Sequence, residues 1–361
     1  MVDGAVRRGI AHLIRPDLRE HVEYEPIEPV EVLGERGQTG ARNAAAEALA
    51  QLGASALPEL GALLRHPDPD QRRLRAALAD YVGVPEDHIV AGSGSDELID
   101  LIARALLSPG DAVIDLTPTF GMYAFTASVC GGRTVSVARR PDFSVDVEAV
   151  ARAVDERTKI IFAASPNNPS GNRLSRRELD ALLELSVLVV LDEAYVEFSG
   201  GSHAGLVPER ENLVVLRTFS KWAGLAGVRA GYGIMPPELA QALMAIKPPY
   251  NVNVPAEVAV LASLDDREAL QANVRRIVEE RERLLGLLRR VPYLEPWASE
   301  ANFILCRVTR GSARDLRDRL RERGIFLRYF GRPGLEDCIR VSVGRPEHTD
   351  ALLAALAEVA P

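Results

Sequence analysis

Lys221 stands in the stretch TFSKWAGLAGVRAGYG, Thr218 to Gly233, with hydroxyls on Thr218 and Ser220 just before it and Arg229 further on. Most lysines are solvated surface charges. This one follows the apolar run LVVL, Leu213 to Leu216, so it reads as the carboxyl end of a buried strand, where α/β folds bind ligands. Burial and nearby cationic charge help an amine lose its proton, and a neutral lysine amine attacks carbonyl carbon. Hydroxyls and an arginine around it suit a phosphate. The stretch therefore predicts capture of an aldehyde that also carries a phosphate.

Pyridoxal phosphate is such a compound, and it requires a phosphate cradle, a carboxylate for its pyridine nitrogen, donors for its phenolic oxygen and a ring to stack on. The segment AGSGSDELID offers the cradle: a strand, a turn of small residues (Gly92, Ser93, Gly94), then a helix opening at Ser95 and Asp96 whose amides face the turn. A dinucleotide fingerprint GxGxxG needs glycine where Glu97 stands, which excludes a nicotinamide oxidoreductase. Asp192 ends the apolar run of VLVVLDEAY, and an ionised aspartate there would keep a pyridine nitrogen protonated; Tyr195 follows it closely. Asn168, in SPNNPSG, precedes Pro169, which favours an extended backbone. Phe120, in TPTFGMY, is a candidate for ring stacking. In isolation an ordinary cap, turn or core role explains each of these, but all of them fall at predicted strand ends.

The elements that would position them are legible as pattern. Short apolar runs recur: HIVAGSGS, DAVIDLTP, RTVSVA, TKIIFAASP, VLVVLDEAY, LVVLRTFSK and RAGYGIMP. Most lack alternation, as strands buried on both faces of a largely parallel sheet do. Helical segments such as SDELIDLIARALL and SRRELDALLEL lie between them. The predicted class is α/β, a three-layer sandwich around a mostly parallel seven-stranded sheet. From Pro255 one long amphipathic helix is expected to about Arg290, carrying Leu270, Val274, Ile277, Val278, Leu285 and Leu288. After it come NFILCRV, a helix capped by Ser312 with Asp315 and closed by Gly324, then GIFLRYF and CIRVSVG, a smaller α+β domain. The expected division is an arm over 1–39, a large domain over 40–254 and a small one over 255–361, with the first clear helix at ARNAAAEALAQLG.

Composition narrows the partners. The 361 residues are 47% hydrophobic and 26% charged, an ordinary globular balance. Forty-three basic residues against 51 acidic ones give a net charge of −8, and the basic ones form no stripe, which argues against nucleic acid and anionic membranes. Cys130, Cys306 and Cys338 are scattered, so neither a metal site nor a disulfide framework is expected. No apolar stretch suits a signal peptide or a span, and a cytoplasmic protein is the expectation.

Taken in order, GSGSDE, PTFGMY, PNNPSG, LDEAY, TFSKWAGLAGVRAGY, ANFI and IRVSVG resemble the fold-type I, pyridoxal phosphate-dependent aminotransferases, most closely the histidinol-phosphate aminotransferases, from about Arg65 to the chain end. The resemblance implies that Lys221 bonds the cofactor and shuttles a proton, that Asp192 pairs with the pyridine nitrogen, and that Asn168 and Tyr195 bond the phenolic oxygen while Phe120 stacks. It implies a phosphate held by Ser95, Asp96, Ser220 and Arg229, and a substrate bound by Arg340, Arg328 and Asn302. It further implies a homodimer with sites at its interface and a place in histidine biosynthesis, with L-histidinol phosphate and 2-oxoglutarate as substrates.

Three features depart from the pattern. The family's NENP-type N-terminal segment is here LGERGQTGA, which shares little beyond Gly40. Where a family tyrosine reaches the partner's cofactor phosphate, this chain has His66 in RHPDP, shorter but able to donate. Trp222 replaces a usually small residue. An aromatic-amino-acid transaminase or a phosphothreonine decarboxylase would need the same cofactor residues, and a non-catalytic cofactor-binding regulator is the alternative of another class. Such a regulator would be expected to carry a DNA-binding module, and no spare basic helix-turn-helix segment is present.

Overall fold

The computed structural model describes residues 67–360. The arm, the helix expected at ARNAAAEALAQLG, the segment LGERGQTGA and His66 lie outside the described residues.

Seven strands, one for each apolar run, make the large sheet: β1 (Ile89–Gly92), β2 (Ala112–Thr117), β3 (Arg133–Ala138), β4 (Thr158–Ala164), β5 (Leu188–Asp192), β6 (Leu213–Thr218) and β7 (Gly231–Ile234). Their order is β1-β7-β6-β5-β4-β2-β3, and only β7 runs against its neighbours. The runs lack alternation because both faces are covered. Ile161, Ala163, Val189, Leu191 and Val215 enter one core, while their chain neighbours Ile160, Phe162, Val190, Val214 and Leu216 enter the other. RTVSVA is the exception, since β3 is an edge strand whose residues are mostly exposed or half-buried.

Helices α1 (Arg72–Val82), α2 (Ser95–Leu106), α3 (Met122–Val129), α4 (Val147–Ala153), α5 (Arg176–Leu183) and α6 (Pro237–Ile246) cover this sheet. SRRELDALLEL folds as its ends dictate: Ser175 accepts from the Glu178 amide and Glu178 reaches back to the Ser175 amide, a complete capping box. Leu179 and Leu182, on the inner face, are fully buried.

The expected single helix from Pro255 to Arg290 is two, α7 (Val254–Asp265) and α8 (Arg267–Leu288). Asp266, at φ −100° and ψ 25°, leaves the helical range and interrupts the run. Asp266 makes no side-chain cap bond, and two adjacent aspartates, poor helix formers, place the break there. α7 places Ala256 and Val260 in the large sheet's core, as α8 does with Val274. Further along α8, Leu284, Leu285 and Leu288 enter a separate core. The handover between the two cores thus falls inside α8.

That second core lies under an antiparallel sheet of order β10-β11-β9-β8, formed by β8 (Leu294–Pro296), β9 (Phe303–Val308), β10 (Arg328–Tyr329) and β11 (Cys338–Ser342). Helices α9 (Ala313–Arg321) and α10 (Pro346–Glu358) pack Leu316, Leu320, Leu352 and Leu356 against it. Ser312 caps α9 by accepting from the Asp315 amide at 3.2 Å, as its spacing predicts. Arg281 of α8 ties the two parts together, donating to the carbonyls of Phe198 and Ala301 at 3.1 and 3.2 Å.

Candidate active site

The carboxyl ends of β1, β2, β4, β5 and β6 share one edge of the large sheet, and every candidate from the strand-end motifs lies there. Gly94, at φ +80° and ψ 168°, turns the chain from β1 into α2. A left-handed φ suits glycine, and the space is closed as well: a Cβ on Gly94 would lie 2.7 Å from Arg229 Nη2. Across the cradle, a Cβ on Gly231 would lie 2.4 Å from the Ser95 amide nitrogen and 2.6 Å from the Gly94 carbonyl carbon. Two glycines therefore let β7 press against the first turn of α2.

Gly231→Ala must force these backbones apart, at a cost on the order of 1–3 kcal/mol. We expect an affinity loss of about tenfold or more for a phosphate-bearing ligand, read by titration with pyridoxal phosphate; unchanged affinity would mean that the anion binds elsewhere.

Arg229 Nη2 sits 3.1 Å from Asp96 Oδ2, which brings this arginine to the helix start. Ser220 is held by Thr218: the Thr218 hydroxyl lies 2.9 Å from Ser220 Oγ and accepts from the Ser220 amide at 3.1 Å. Thr218 is buried and acts as the holder, leaving Ser220 as the presented hydroxyl.

Lys221 follows on the same loop with its side chain open to solvent and its Nζ 5.7 Å from the centre of the Tyr195 ring. Desolvation by the surrounding protein, then the charge of Arg340, hold its pKa below the ordinary amine value; Asp96 and Asp192 oppose this and Arg229 adds to it. Trp222 turns away into the core, stacking on Tyr81 at 5.9 Å and leaning on Phe219. The bulk beside the lysine is thereby absorbed without filling the site.

Asp192 is buried and accepts from the Tyr123 hydroxyl at 2.7 Å and from the Ala194 amide at 3.0 Å. Burial pushes its pKa up to about 6, and these two donors restrain the rise. Tyr123 is a functional neighbour that sequence reasoning missed. It is fully buried, stacked on Phe162 at 4.8 Å and met edge-on by Phe120 at 5.7 Å. Its only signal was its place in PTFGMY, on the turn of α3 after Phe120.

Asn168 lies beyond β4, and its side-chain oxygen accepts from Arg340 Nη1 at 2.5 Å. Asn167, also missed, is fully buried: it accepts from Thr119 Oγ1 at 2.9 Å and donates to Pro118 O and Ser170 Oγ. It locks the SPNNPSG loop to the end of β2, leaving Asn168 to face the site. Arg340 sits over the Phe303 ring at 4.7 Å. Arg328 lies directly opposite Arg340 across the β10–β11 pair and over Phe330 at 5.7 Å. Tyr195 packs edge-on against Phe303 at 5.1 Å. Asn302 begins this region and accepts from the Val343 amide through its carbonyl.

The geometry thus joins a depressed lysine amine, a buried carboxylate, an open helix N-terminus with an arginine, and a second arginine from the small sheet. No group of side chains suited to a metal ion occurs among the described residues.

Residues 33–359 match the family model of aminotransferase class I and II. The chain is 50% identical to a histidinol-phosphate aminotransferase of Roseiflexus castenholzii, covering 97% of this chain and 99% of that protein. It is 46% identical to a chloroplastic histidinol-phosphate aminotransferase of Nicotiana plumbaginifolia, over 95% and 86%. Among solved structures, histidinol-phosphate aminotransferase from Sinorhizobium meliloti in complex with pyridoxal-5'-phosphate superposes with a TM-score of 0.81 at 27% identity, covering 95% of this chain and 96% of that one.

Proposed function

We propose a specific reaction for this chain, which belongs to the class I and II aminotransferases: transfer of the amino group of L-histidinol phosphate to 2-oxoglutarate, giving imidazole-acetol phosphate and glutamate. The observation that carries the chemistry is the meeting of Lys221, Asp192 and the glycine-shaped start of α2 at one sheet edge. The near full-length identity to named histidinol-phosphate aminotransferases supports the substrate.

The residues fit pyridoxal phosphate. The first amides of α2, at Ser95 and Asp96, would hold its phosphate with Ser220 and Arg229, because a helix N-terminus and a guanidinium both favour an anion. Asp192 would face the pyridine nitrogen, Asn168 and Tyr195 the phenolic oxygen, and Phe120 the ring. Once bound, the cofactor supplies an electron-withdrawing ring that acidifies the proton on the amino-bearing carbon of the substrate.

The chain's own groups carry the rest. Lys221 Nζ takes that proton as a base and returns it as an acid, a task that favours an amine whose pKa lies below its ordinary value. Asp192, while ionised, would stabilise a cationic ring nitrogen, and the Tyr123 hydroxyl orients its carboxylate. Arg340, with Arg328 beside it, would grip the acidic group: a phosphate ester in the first half-reaction and a carboxylate in the second. Its planar fork suits both. One pocket serving two substrates in turn is the logic of a ping-pong cycle.

A homodimer belongs to the same proposal, with His66 donating to the partner's cofactor phosphate in place of a tyrosine. We also place the protein in the cytoplasm; none of Cys130, Cys306 and Cys338 forms a disulfide among the described residues, which suits a reducing compartment.

The test mixes purified holoprotein with one amino donor at a time and no oxo acid, and follows the cofactor's visible absorbance. L-Histidinol phosphate should change it fastest, and L-phenylalanine and O-phosphothreonine should lag by about tenfold or more. A faster response to phenylalanine, or carbon dioxide released from O-phosphothreonine, would overturn the substrate assignment.

A further inference from the structure

Behind the cradle lies a hydrogen-bonded relay of three side chains that no step above uses. β1 is an edge strand of the large sheet, so one side of its backbone has no strand partner. Gln71 fills that role: its Oε1 accepts from the Ala91 amide at 3.0 Å and its Nε2 donates to the Ala91 carbonyl at 2.9 Å. A primary amide here imitates a peptide group of a neighbouring strand. Gln71 is 4% exposed and holds a left-handed backbone, φ 55° and ψ 28°. For a residue with a Cβ that conformation is strained.

From Gln71 the relay continues to the helix start. Gln71 Nε2 also donates to Asn251 Oδ1 at 2.8 Å, and Asn251 Nδ2 donates to Glu97 Oε2 at 2.8 Å and to the Ala91 carbonyl at 3.1 Å. Glu97, in the first turn of α2, accepts from the Ser93 amide at 2.6 Å through the same oxygen. Gly92 leaves the room: a Cβ there would lie 3.3 Å from Glu97 Oε2. The Asn251 loop is itself pinned by the buried Lys247, whose Nζ donates to the carbonyls of Pro69, Pro248 and Pro249.

These bonds decide which amides face the anion. Glu97 occupies the Ser93 amide and the Gly92 carbonyl occupies the Gly94 amide at 2.8 Å. The Ser95 and Asp96 amides are the next in line, and a helix start leaves its first amides without intrahelical partners. A carboxylate so close to an anion site would repel the ligand, but here two neutral donors and the charge of nearby Lys247 offset that of Glu97.

We propose that Gln71, Asn251 and Glu97 are positioning residues for the cofactor phosphate, fixing the Ser93–Gly94 turn so that the amides of Ser95 and Asp96 converge on it. This rests on the pyridoxal phosphate reading above. The relay acts on the phosphate end alone, so its loss should weaken phosphate recognition and leave the pyridine end untouched.

The experiment compares affinities of cofactor-stripped protein for pyridoxal phosphate and for pyridoxal, which lacks the phosphate, by absorbance titration. Asn251→Ala should lower the preference for pyridoxal phosphate by about tenfold. Glu97→Ala removes the oxygen that accepts from both the Ser93 amide and Asn251, and should lower the preference by a similar factor of about tenfold. A preference within about twofold of wild type, or parallel losses for both compounds, would overturn the proposal. Should Asn251→Ala fail to fold, the Glu97→Ala ratio decides the matter by the same criterion. If the wild-type protein itself binds neither compound, it is the cofactor reading that falls.

Discussion

Replacing Lys221 with alanine should abolish transamination and leave a folded protein. The side chain opens to solvent instead of filling the core, so its removal creates no buried cavity. What disappears is the amine whose pKa is lowered by desolvation and by Arg340, and with it, in the proposed mechanism, both the cofactor's covalent anchor and the group that moves the proton. Positioned acid–base catalysis alone contributes about 10²–10⁴-fold, so losing both roles should cost about 10⁴-fold or more. Single-turnover mixing with L-histidinol phosphate reads the loss, and circular dichroism checks the fold. Added methylamine should restore part of the rate by supplying a free base. A residual rate within about tenfold of wild type would remove Lys221 from the role of base.

Asp192→Asn should make the cofactor-free protein more stable and the enzyme nearly inactive. Burial raises the folded-state pKa of Asp192 from 3.8 to about 6, the reverse of the usual stabilising carboxylate. Below about pH 4 the group is protonated whether folded or unfolded, and it contributes nothing to the pH dependence. Between about pH 4 and pH 6 the unfolded chain ionises first, so stability falls as pH rises. Above that window the penalty is complete, roughly 3 kcal/mol at 1.36 kcal/mol per pKa unit. Asparagine avoids it and still fits, because the Tyr123 hydroxyl can accept where it now donates and the Ala194 amide keeps an acceptor.

The variant's melting temperature without cofactor should therefore exceed wild type by about 5 °C at pH 8, with the gain shrinking towards pH 4. Its turnover should drop about 100-fold or more, because a neutral amide no longer stabilises a protonated ring nitrogen. A variant less stable than wild type at pH 8 would show that the ionised carboxylate is not a burdened group. Full activity would show that no cationic nitrogen faces it.

Stability and function are opposed at this one side chain. A buried carboxylate costs folding energy, a cost that the proposed pairing with a cationic ring nitrogen would account for. The same opposition appears in miniature at Gln71, whose left-handed backbone is a local cost set against two bonds to the edge strand.

Residue order alone points to the class of sheet and to the edge where the candidate site lies. Lys221, Asp192, Ser220 and Phe120 each sit just beyond or at the end of an apolar run, and near-continuous runs imply burial on both faces, so sheet and ligand edge follow together. A local signal also marked the cap at Ser312. Family resemblance, with no bonding pattern behind it, supplied Arg340.

Which side chains become partners depends on how the elements pack. Tyr123 meets Asp192, Arg340 meets Asn168, and Gln71, Asn251 and Glu97 join behind the cradle, although each set comes from distant parts of the chain. No propensity or period encodes such a meeting, because hydrogen bonds between remote residues depend on the register and crossing of whole elements. The break at Asp266 belongs to the same class: periodicity continues through it, and the handover between two cores inside α8 is visible only once both are packed.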